Sequence, residues 1–292
     1  MKPPQFEYVR AETAAGAVAA LADCGEYARI LAGGQSLIPL MNLRLSRPSH
    51  LVDITHVQEL DVVGEEGTDI VIGAAARQTK VESSDLVRRG CPLLAEALEL
   101  VAHPPIRHRG TVCGSLAHAD PASELAAVAL TLDATFSIQS ASGTRSVPAK
   151  EFFVGPFTTA TSTGEMLRDV RMPTIAPSVG TAIVEFTRTH GNFAIAGAVA
   201  LVELAGDATV SRAALSIFGV SGQPQRASAA EQLLLGAEPS EQTVHEAAEL
   251  ALQDIECSSD MHGSAAYRAR IGRVYARRAL ASAVSRAQGG GR

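Results

Sequence analysis

Tryptophan is absent from this 292-residue chain and aromatic residues of all kinds make up only 4 %, although hydrophobic residues reach 46 %. The cores must therefore be aliphatic, and at this length two or three modules are expected. Cysteine is scarce as well: Cys24, Cys91, Cys113 and Cys257 are scattered, with no Cys-x-x-Cys pair. That spacing offers neither a zinc site nor an iron–sulfur cluster within this chain, and it suits a reducing compartment. Positive charge is not in excess, since 25 Lys and Arg stand against 31 Asp and Glu for a net charge of −6. Nucleic-acid binding, which needs a basic footprint, is disfavoured. No run approaches transmembrane length and the first residues, Met1-Lys2-Pro3-Pro4-Gln5-Phe6-Glu7, carry no apolar signal core. A cytoplasmic location without a membrane span is expected.

What the chain does have is α/β patterning. Phe6–Val9, Tyr27–Leu31 and Leu51–Ile54 read as short strands around an Ala-rich helix over 14–23, which Thr13 is placed to cap. A second unit carries a strand over 69–74, a helix over 92–101 and a strand over 134–138. Asp120-Pro121 predicts the start of a further helix to about Leu130, because Asp is a strong N-cap and Pro is favoured at the first helical position. Met172–Pro177 reads as a linker. Beyond it, three β segments (181–188, 194–204 and 211–219) precede helices near 228–235, 240–254 and 264–286, an α+β pattern. Gln288–Arg292 reads as a frayed tail.

Two glycine-bearing segments carry the chemistry: Ala32-Gly33-Gly34-Gln35-Ser36 after the second strand, and Gly110-Thr111-Val112-Cys113-Gly114-Ser115. Successive backbone N–H groups in a glycine turn hold a diphosphate without side chains in the way, and Gln35, Ser36, Thr111 and Ser115 add polar side chains. Neither segment spells a P-loop or a Gly-x-Gly-x-x-Gly fingerprint. A plain Gly-Gly turn after a strand is the ordinary explanation of the first segment alone. Glu124, near the start of a helix, has two readings: acceptor for a sugar or ribityl hydroxyl, or complement to the helix dipole.

In this order the segments resemble the flavin-binding medium subunit of the molybdenum hydroxylases. Asn42-Leu43-Arg44-Leu45, Ile106-Arg107, Ala119-Asp120-Pro121, the Gly191-Asn192-Phe193-Ala194 run and Tyr267-Arg268 add to the match. The resemblance implies an α+β chain: a two-subdomain FAD-binding domain of the p-cresol methylhydroxylase/vanillyl-alcohol oxidase (PCMH/VAO) type over residues 1–176, divided at 56/57, then a C-terminal domain over 177–292 with an antiparallel three-stranded sheet and helices. It implies FAD contacts at Ile30, Leu31, Ala32, Gly33, Gly34, Gln35, Ser36 and Leu37, at Thr111, Val112, Cys113, Gly114 and Ser115, and at Glu124 and Leu167. It also implies a small subunit with two [2Fe–2S] clusters, a large molybdopterin subunit, a dimer of heterotrimers, and an acceptor such as NAD or a quinone. No catalytic residue for substrate oxidation and no metal ligand are then needed in this chain.

Two positions depart from the family's pattern: Cys113 stands where Gly is usual, and Asn192 where Asp is frequent. Cys113 reads as a small residue that fits, against a reactive thiol or covalent flavin anchor. His118 is expected to line the cofactor loop, with His103 and His108 flanking a flavin entrance or a subunit contact. Arg270, Arg273 and Arg277 fall on one helical face, a solvated stripe or an acidic partner's surface. The rival function is a free-standing flavin oxidase with its own substrate, for which the residues beyond 176 leave little room. A scaffold that has lost FAD is opposed by the intact Gly33, Gly34 and Gly114.

Overall fold

The computed structural model describes residues 2–289. Its first sheet is a parallel three-stranded one, β1 (Glu7–Arg10), β2 (Ala28–Leu31) and β3 (His50–Asp53), in the order β1-β3-β2. Helix α1 (Ala14–Cys24) crosses from β1 to β2; the Thr13 hydroxyl caps it by accepting from the Gly16 N–H at 2.9 Å. The short α2 (Leu37–Asn42) leads from β2 towards β3. Strands β2 and β3 therefore end side by side, the edge at which open parallel sheets bind ligands.

The second sheet is antiparallel: β4 (Val63–Glu66), β5 (Asp69–Gly73), β6 (Thr135–Ser140), β7 (Gly143–Pro148) and, beyond a small β8 (Phe153–Gly155)/β9 (Thr158–Thr159) hairpin, β10 (Met166–Pro173), in the order β4-β5-β10-β6-β7. Six short helices fill the excursion between β5 and β6: α3 (Gln78–Glu82), α4 (Asp85–Gly90), α5 (Pro92–Leu100), α6 (Pro104–Arg107), α7 (Val112–His118) and α8 (Glu124–Thr131). Helix α9 (Ala149–Phe152) follows β7. Phe136 and Phe152 stack at 3.9 Å between centroids and Phe153 meets both edge-on, an aromatic cluster in a largely aliphatic core.

The last sheet, β11 (Gly180–Phe186), β12 (Ala196–Leu204), β13 (Val210–Phe218) and β14 (Gln225–Arg226), is antiparallel and buried on both faces. Ala198, Ala200, Leu215 and Ile217 face α10 (Ser228–Leu234), α11 (Glu241–Leu250) and α12 (Ala265–Ala287), while Val199, Leu201, Ala214 and Phe218 join the core of the first half. Double-sided burial explains why β12 reads as one apolar run rather than an alternation. A polar clamp crosses the same seam: Arg286 of α12, which also donates to the Thr181 carbonyl of β11 at 2.6 Å, reaches Glu96 of α5 at 2.8 Å.

The mixed α/β architecture agrees with the sequence, with three local corrections. The helix expected from Asp120 begins at Glu124, capped by Ser123, whose hydroxyl accepts from the Ala126 N–H at 3.4 Å. Asp120 instead accepts from the Ala122 N–H at 2.9 Å, closing a turn after left-handed Ala119. An Asx turn and an N-cap use the same side-chain chemistry, so the sequence alone does not choose between them. Pro173 is the last residue of β10, paired with Asp69, rather than part of a linker, because a strand end tolerates a missing N–H. The C-terminal sheet has a fourth strand, the two-residue β14, too short to leave a pattern. Of the tail, Gly290–Arg292 lie outside the described residues.

Candidate cofactor site

The site begins where β2 runs out. Gly33 is buried, and a Cβ on it would lie 2.5 Å from the Arg109 carbonyl oxygen and 2.6 Å from the Gly110 Cα. The two glycine segments thus meet backbone to backbone, which only glycine at position 33 allows. Gly34 has φ of 72°, a left-handed conformation that favours glycine. Among the described residues, no protein group accepts from the N–H of Gly33, Gly34, Gln35 or Ser36. Four adjacent donors without a protein acceptor mark a place for an external one. Gln35 does not extend this row: its amide turns back to the Gly33 carbonyl at 3.1 Å.

The first three of these residues border a cavity of about 680 Å³, lined by Leu31, Ala32, Gly33, Gly34, Gln35, Ile38, Pro39 and Asn42 from one side and Asp53, Thr55, His56, Arg77 and Arg109 from the other. The sequence reading missed the second group and, in the first, Ile38, Pro39 and Asn42. Asp53, Thr55 and His56 follow the end of β3, and the rule that ligands sit beyond the carboxyl ends of parallel strands is the signal that points to them. Arg77 and Arg109 carry no such signal. They arrive through tertiary contacts: Arg77 pairs with Thr111 in an isolated bridge, the Gln78 N–H donates to the Gly110 carbonyl at 2.8 Å, and the Arg77 guanidinium donates to the Arg109 carbonyl. Asp53 is engaged internally, accepting from the Tyr8 hydroxyl at 2.6 Å and the Thr55 N–H at 2.7 Å. Burial raises its pKa, but those hydrogen bonds outweigh burial and hold the carboxyl below its ordinary value.

The second segment is used differently. The Thr111 hydroxyl caps α7, accepting from the Gly114 N–H at 3.0 Å. Val112 and Cys113 face the core. Cys113 is helical rather than in a positive-φ turn, is 2 % exposed, and donates to the Ile72 carbonyl at 3.3 Å. Burial pushes its thiol well up, so a reactive thiolate has no basis here. Gly114 is required by the cap, since a Cβ would stand 2.6 Å from the Thr111 Oγ1. The Ser115 hydroxyl lies 3.4 Å from that of Ser123, setting the start of α8 against this segment.

Of the remaining candidates, Ile30, Ser36 and Leu37 adjoin the cavity in the chain without lining it, and Leu167 is buried in β10. Glu124 is buried where α8 meets the C-terminal sheet; burial first, then the charge of Glu185, pushes its pKa up to about 8. His118 packs on Phe157 at 5.2 Å between centroids, whereas His103 faces His190 of the second half at 6.1 Å. In the arginine stripe, Arg270 lies over the Tyr267 ring and Arg273 approaches Glu249 at 3.7 Å. Arg268 is buried and binds Asp260 and the Ile195 carbonyl, each at 2.6 Å, anchoring α12.

Free backbone donors, a glycine cradle and two cationic side chains fit a dinucleotide diphosphate. Comparison with known proteins points the same way. Residues 4–175 match the model of the FAD binding domain in molybdopterin dehydrogenase, and residues 181–283 that of the CO dehydrogenase flavoprotein C-terminal domain. The 6-hydroxypseudooxynicotine dehydrogenase complex subunit alpha of Paenarthrobacter nicotinovorans is 42 % identical over 288 residues, 99 % of this chain and 97 % of that one. The carbon monoxide dehydrogenase medium chain of Hydrogenophaga pseudoflava is 36 % identical, covering 98 % and 99 %. A solved structure of carbon monoxide dehydrogenase from the latter organism, lacking the Mo-pyranopterin moiety of its cofactor, superimposes with a TM-score of 0.95 at 37 % identity, over 98 % of this chain and 99 % of that one. Quinoline 2-oxidoreductase from Pseudomonas putida 86 gives 0.93 at 35 %, over 99 % of each chain.

Proposed function

The chain belongs to the FAD-binding medium-subunit family of carbon monoxide dehydrogenase- and xanthine dehydrogenase-type molybdenum hydroxylases, and from that premise we propose that it is the electron-relay subunit of such a complex. It is an oxidoreductase subunit carrying an FAD-binding domain. In our reading residues 1–176 form that domain and 177–292 the C-terminal one, a small subunit supplies [2Fe–2S] clusters, and a large subunit carries molybdopterin and oxidises the substrate. Electrons pass from the clusters to this chain and on to an external acceptor such as NAD or a quinone, in a cytoplasmic dimer of heterotrimers. Among the described residues no helix is long and apolar enough to cross a membrane.

The observation that carries this reading is the row of free N–H groups at Gly33–Ser36 against Arg77 and Arg109. These donors would hold the FAD diphosphate, and the guanidinium groups would balance its charge. Bound FAD supplies the ability to take electrons singly and release them in pairs. The protein's part is to hold and orient the cofactor. The second segment supports the first by keeping Gly110 against Gly33, with Ser115 and Glu124 as further contacts at the start of α8.

The test is anaerobic. The FAD-loaded chain alone is mixed with candidate heterocycles and aldehydes, then mixed again after iron–sulfur and molybdenum subunits are added. The relay reading expects loss of flavin colour only in the second case. Substrate-dependent bleaching of the chain alone overturns it in favour of a free-standing oxidase.

A further inference from the structure

Nothing in a diphosphate calls for a carboxylate on the wall of the cavity beside Gly33, yet Asp53 stands there. Strand β2 ends at Leu31, the glycine turn follows, α2 leads back, and β3 ends at Asp53. The two strands are parallel, with Leu31 opposite Asp53 in the register and the Ile54 N–H donating to the Leu31 carbonyl at 3.0 Å. Partners in such a row project from the same face of the sheet. Leu31 and Asp53 accordingly line one cavity, and Gly33, two residues beyond Leu31, lines it with them. The carboxylate is thus set one short step along the sheet edge from the row of free N–H groups.

Folding alone does not use this carboxylate up. Asp53 is 8 % exposed, a burial that acidic side chains rarely reach without a cationic partner. Arg10, its register neighbour in β1, approaches Glu12 at 3.7 Å instead, and among the described residues no ion pair involves Asp53. The Tyr8 hydroxyl donates to Oδ2 and the Thr55 N–H to Oδ1, whereas a carboxylate offers about four acceptor directions. Burial raises its pKa and the bonds from Tyr8 and Thr55 lower it by more, so the group is ionised at neutrality and acts only as an acceptor.

What it lacks is a hydroxyl or amide donor that can stand beside a diphosphate without bringing two anions together. A phosphate placed directly on Asp53 would be repelled. A ribose joined to the diphosphate through its 5′-oxygen meets both conditions, because its 2′- and 3′-hydroxyls are neutral donors and the sugar ring separates the charges. The chain order supports the same ligand. Strand, glycine turn, helix and adjacent parallel strand, ending in an acidic residue about twenty positions after the glycine, is the plan on which βαβ dinucleotide sites hold a ribose. The glycine spacing here is different, so the likeness is one of topology.

We propose that Asp53 is a specificity-determining residue of the cofactor site: its carboxylate accepts from the 2′- and 3′-hydroxyls of the adenosine ribose and so reads the half of FAD that FMN lacks. The inference rests on the assignment of FAD to this cavity. Tyr8 and Thr55 hold the carboxylate in place, and Arg77 and Arg109 on the same wall offset the charge that it adds.

The experiment uses the full chain stripped of flavin and two ligands: FAD, and the analogue carrying 2′,3′-dideoxyadenosine in place of adenosine. Dissociation constants are read from flavin fluorescence, without substrate or partner subunits. Wild type should bind FAD about 10- to 100-fold more tightly than the analogue, the worth of a hydrogen bond to a charged group. Asp53→Ala should bind FAD more weakly by a similar factor yet bind the analogue as wild type does, so that the preference disappears. Asp53→Asn keeps an oxygen for the Thr55 N–H and should still lose most of the preference, which keeps the test decisive if alanine unfolds the chain. A residue needed only to shape the end of β3 would weaken both ligands alike. Equal affinity of wild type for the two ligands, an undiminished preference in both variants, or a loss shared equally by both ligands overturns the proposal. A wild-type chain that binds neither ligand defeats the cofactor assignment itself, and the ribose assignment with it.

Discussion

The two glycine segments look alike in sequence and are used in opposite ways. At Gly33–Ser36 the backbone N–H groups lack protein acceptors, and Gly33, Gly34 and Gln35 line a cavity; at Thr111–Ser115 the Thr111 hydroxyl accepts from the Gly114 N–H, and Val112 and Cys113 point into the core. In the proposed reading the first is a binding surface and the second its support. A glycine that clears space for a ligand and a glycine that clears space for a neighbouring chain segment are indistinguishable until the contacts are known.

Gly33→Val gives the strongest test of that difference. Its side chain would collide with the Arg109 carbonyl and the Gly110 Cα, backbone atoms that cannot swing away. Loss of FAD together with a stability loss of at least about 2 kcal/mol is expected, read from flavin content and a urea titration. A fully loaded and stable variant would mean that the segments do not meet there. Next in size, Arg77→Ala or Arg109→Ala should weaken FAD binding by about 10- to 100-fold, the worth of a hydrogen bond to a charged group. Their melting temperatures without FAD should stay near wild type. Unchanged affinity in both would remove the cationic side of the cavity from the site.

How much of this was legible beforehand depended on whether the signal was local. Gly33 and Gly34 follow a strand, and both sheets of the first half left runs of strand-forming residues, so the first segment and the framework could be read. Arg77 and Arg109 are separated from Gly33 by more than forty residues and reach it through one β-bridge and a backbone approach, which no periodicity encodes. The start of α8 was misplaced by competition between two good capping residues, Asp120 and Ser123. Glu185 gave no sign at all, because a Glu within a strand ordinarily faces water, and the seam with the first half covers it in part.

A smaller effect concerns Asp53 at the cavity's far wall. Its folded pKa is lowered, so its contribution to stability is present above the ordinary carboxylate value and lost as pH falls through the folded one. Tyr8→Phe removes one of the bonds responsible, and acid unfolding should then begin at a higher pH than in wild type. An unshifted acid transition would show that the Tyr8 bond does not hold the carboxylate down. Smallest of all should be Cys113→Ala, costing about 1 kcal/mol of packing with flavin content unchanged. In the native protein a thiol reagent should label half-buried Cys24 and Cys257 before Cys113 or Cys91, whose thiol burial pushes up to about 12. Early labelling of Cys113, or flavin loss on its replacement, would return the second segment to the ligand-facing class.

The most direct measurement is the ratio of FAD to protein in Gly34→Val beside wild type, each purified whole and denatured to release its flavin. Gly34 has positive φ and neighbours only the Ile38 and Leu31 side chains, so the substitution disturbs the donor row more than the core. Wild type near one FAD per chain and a folded Gly34→Val near zero is the predicted result. A folded Gly34→Val with full flavin content would contradict the assignment of the first segment to the diphosphate.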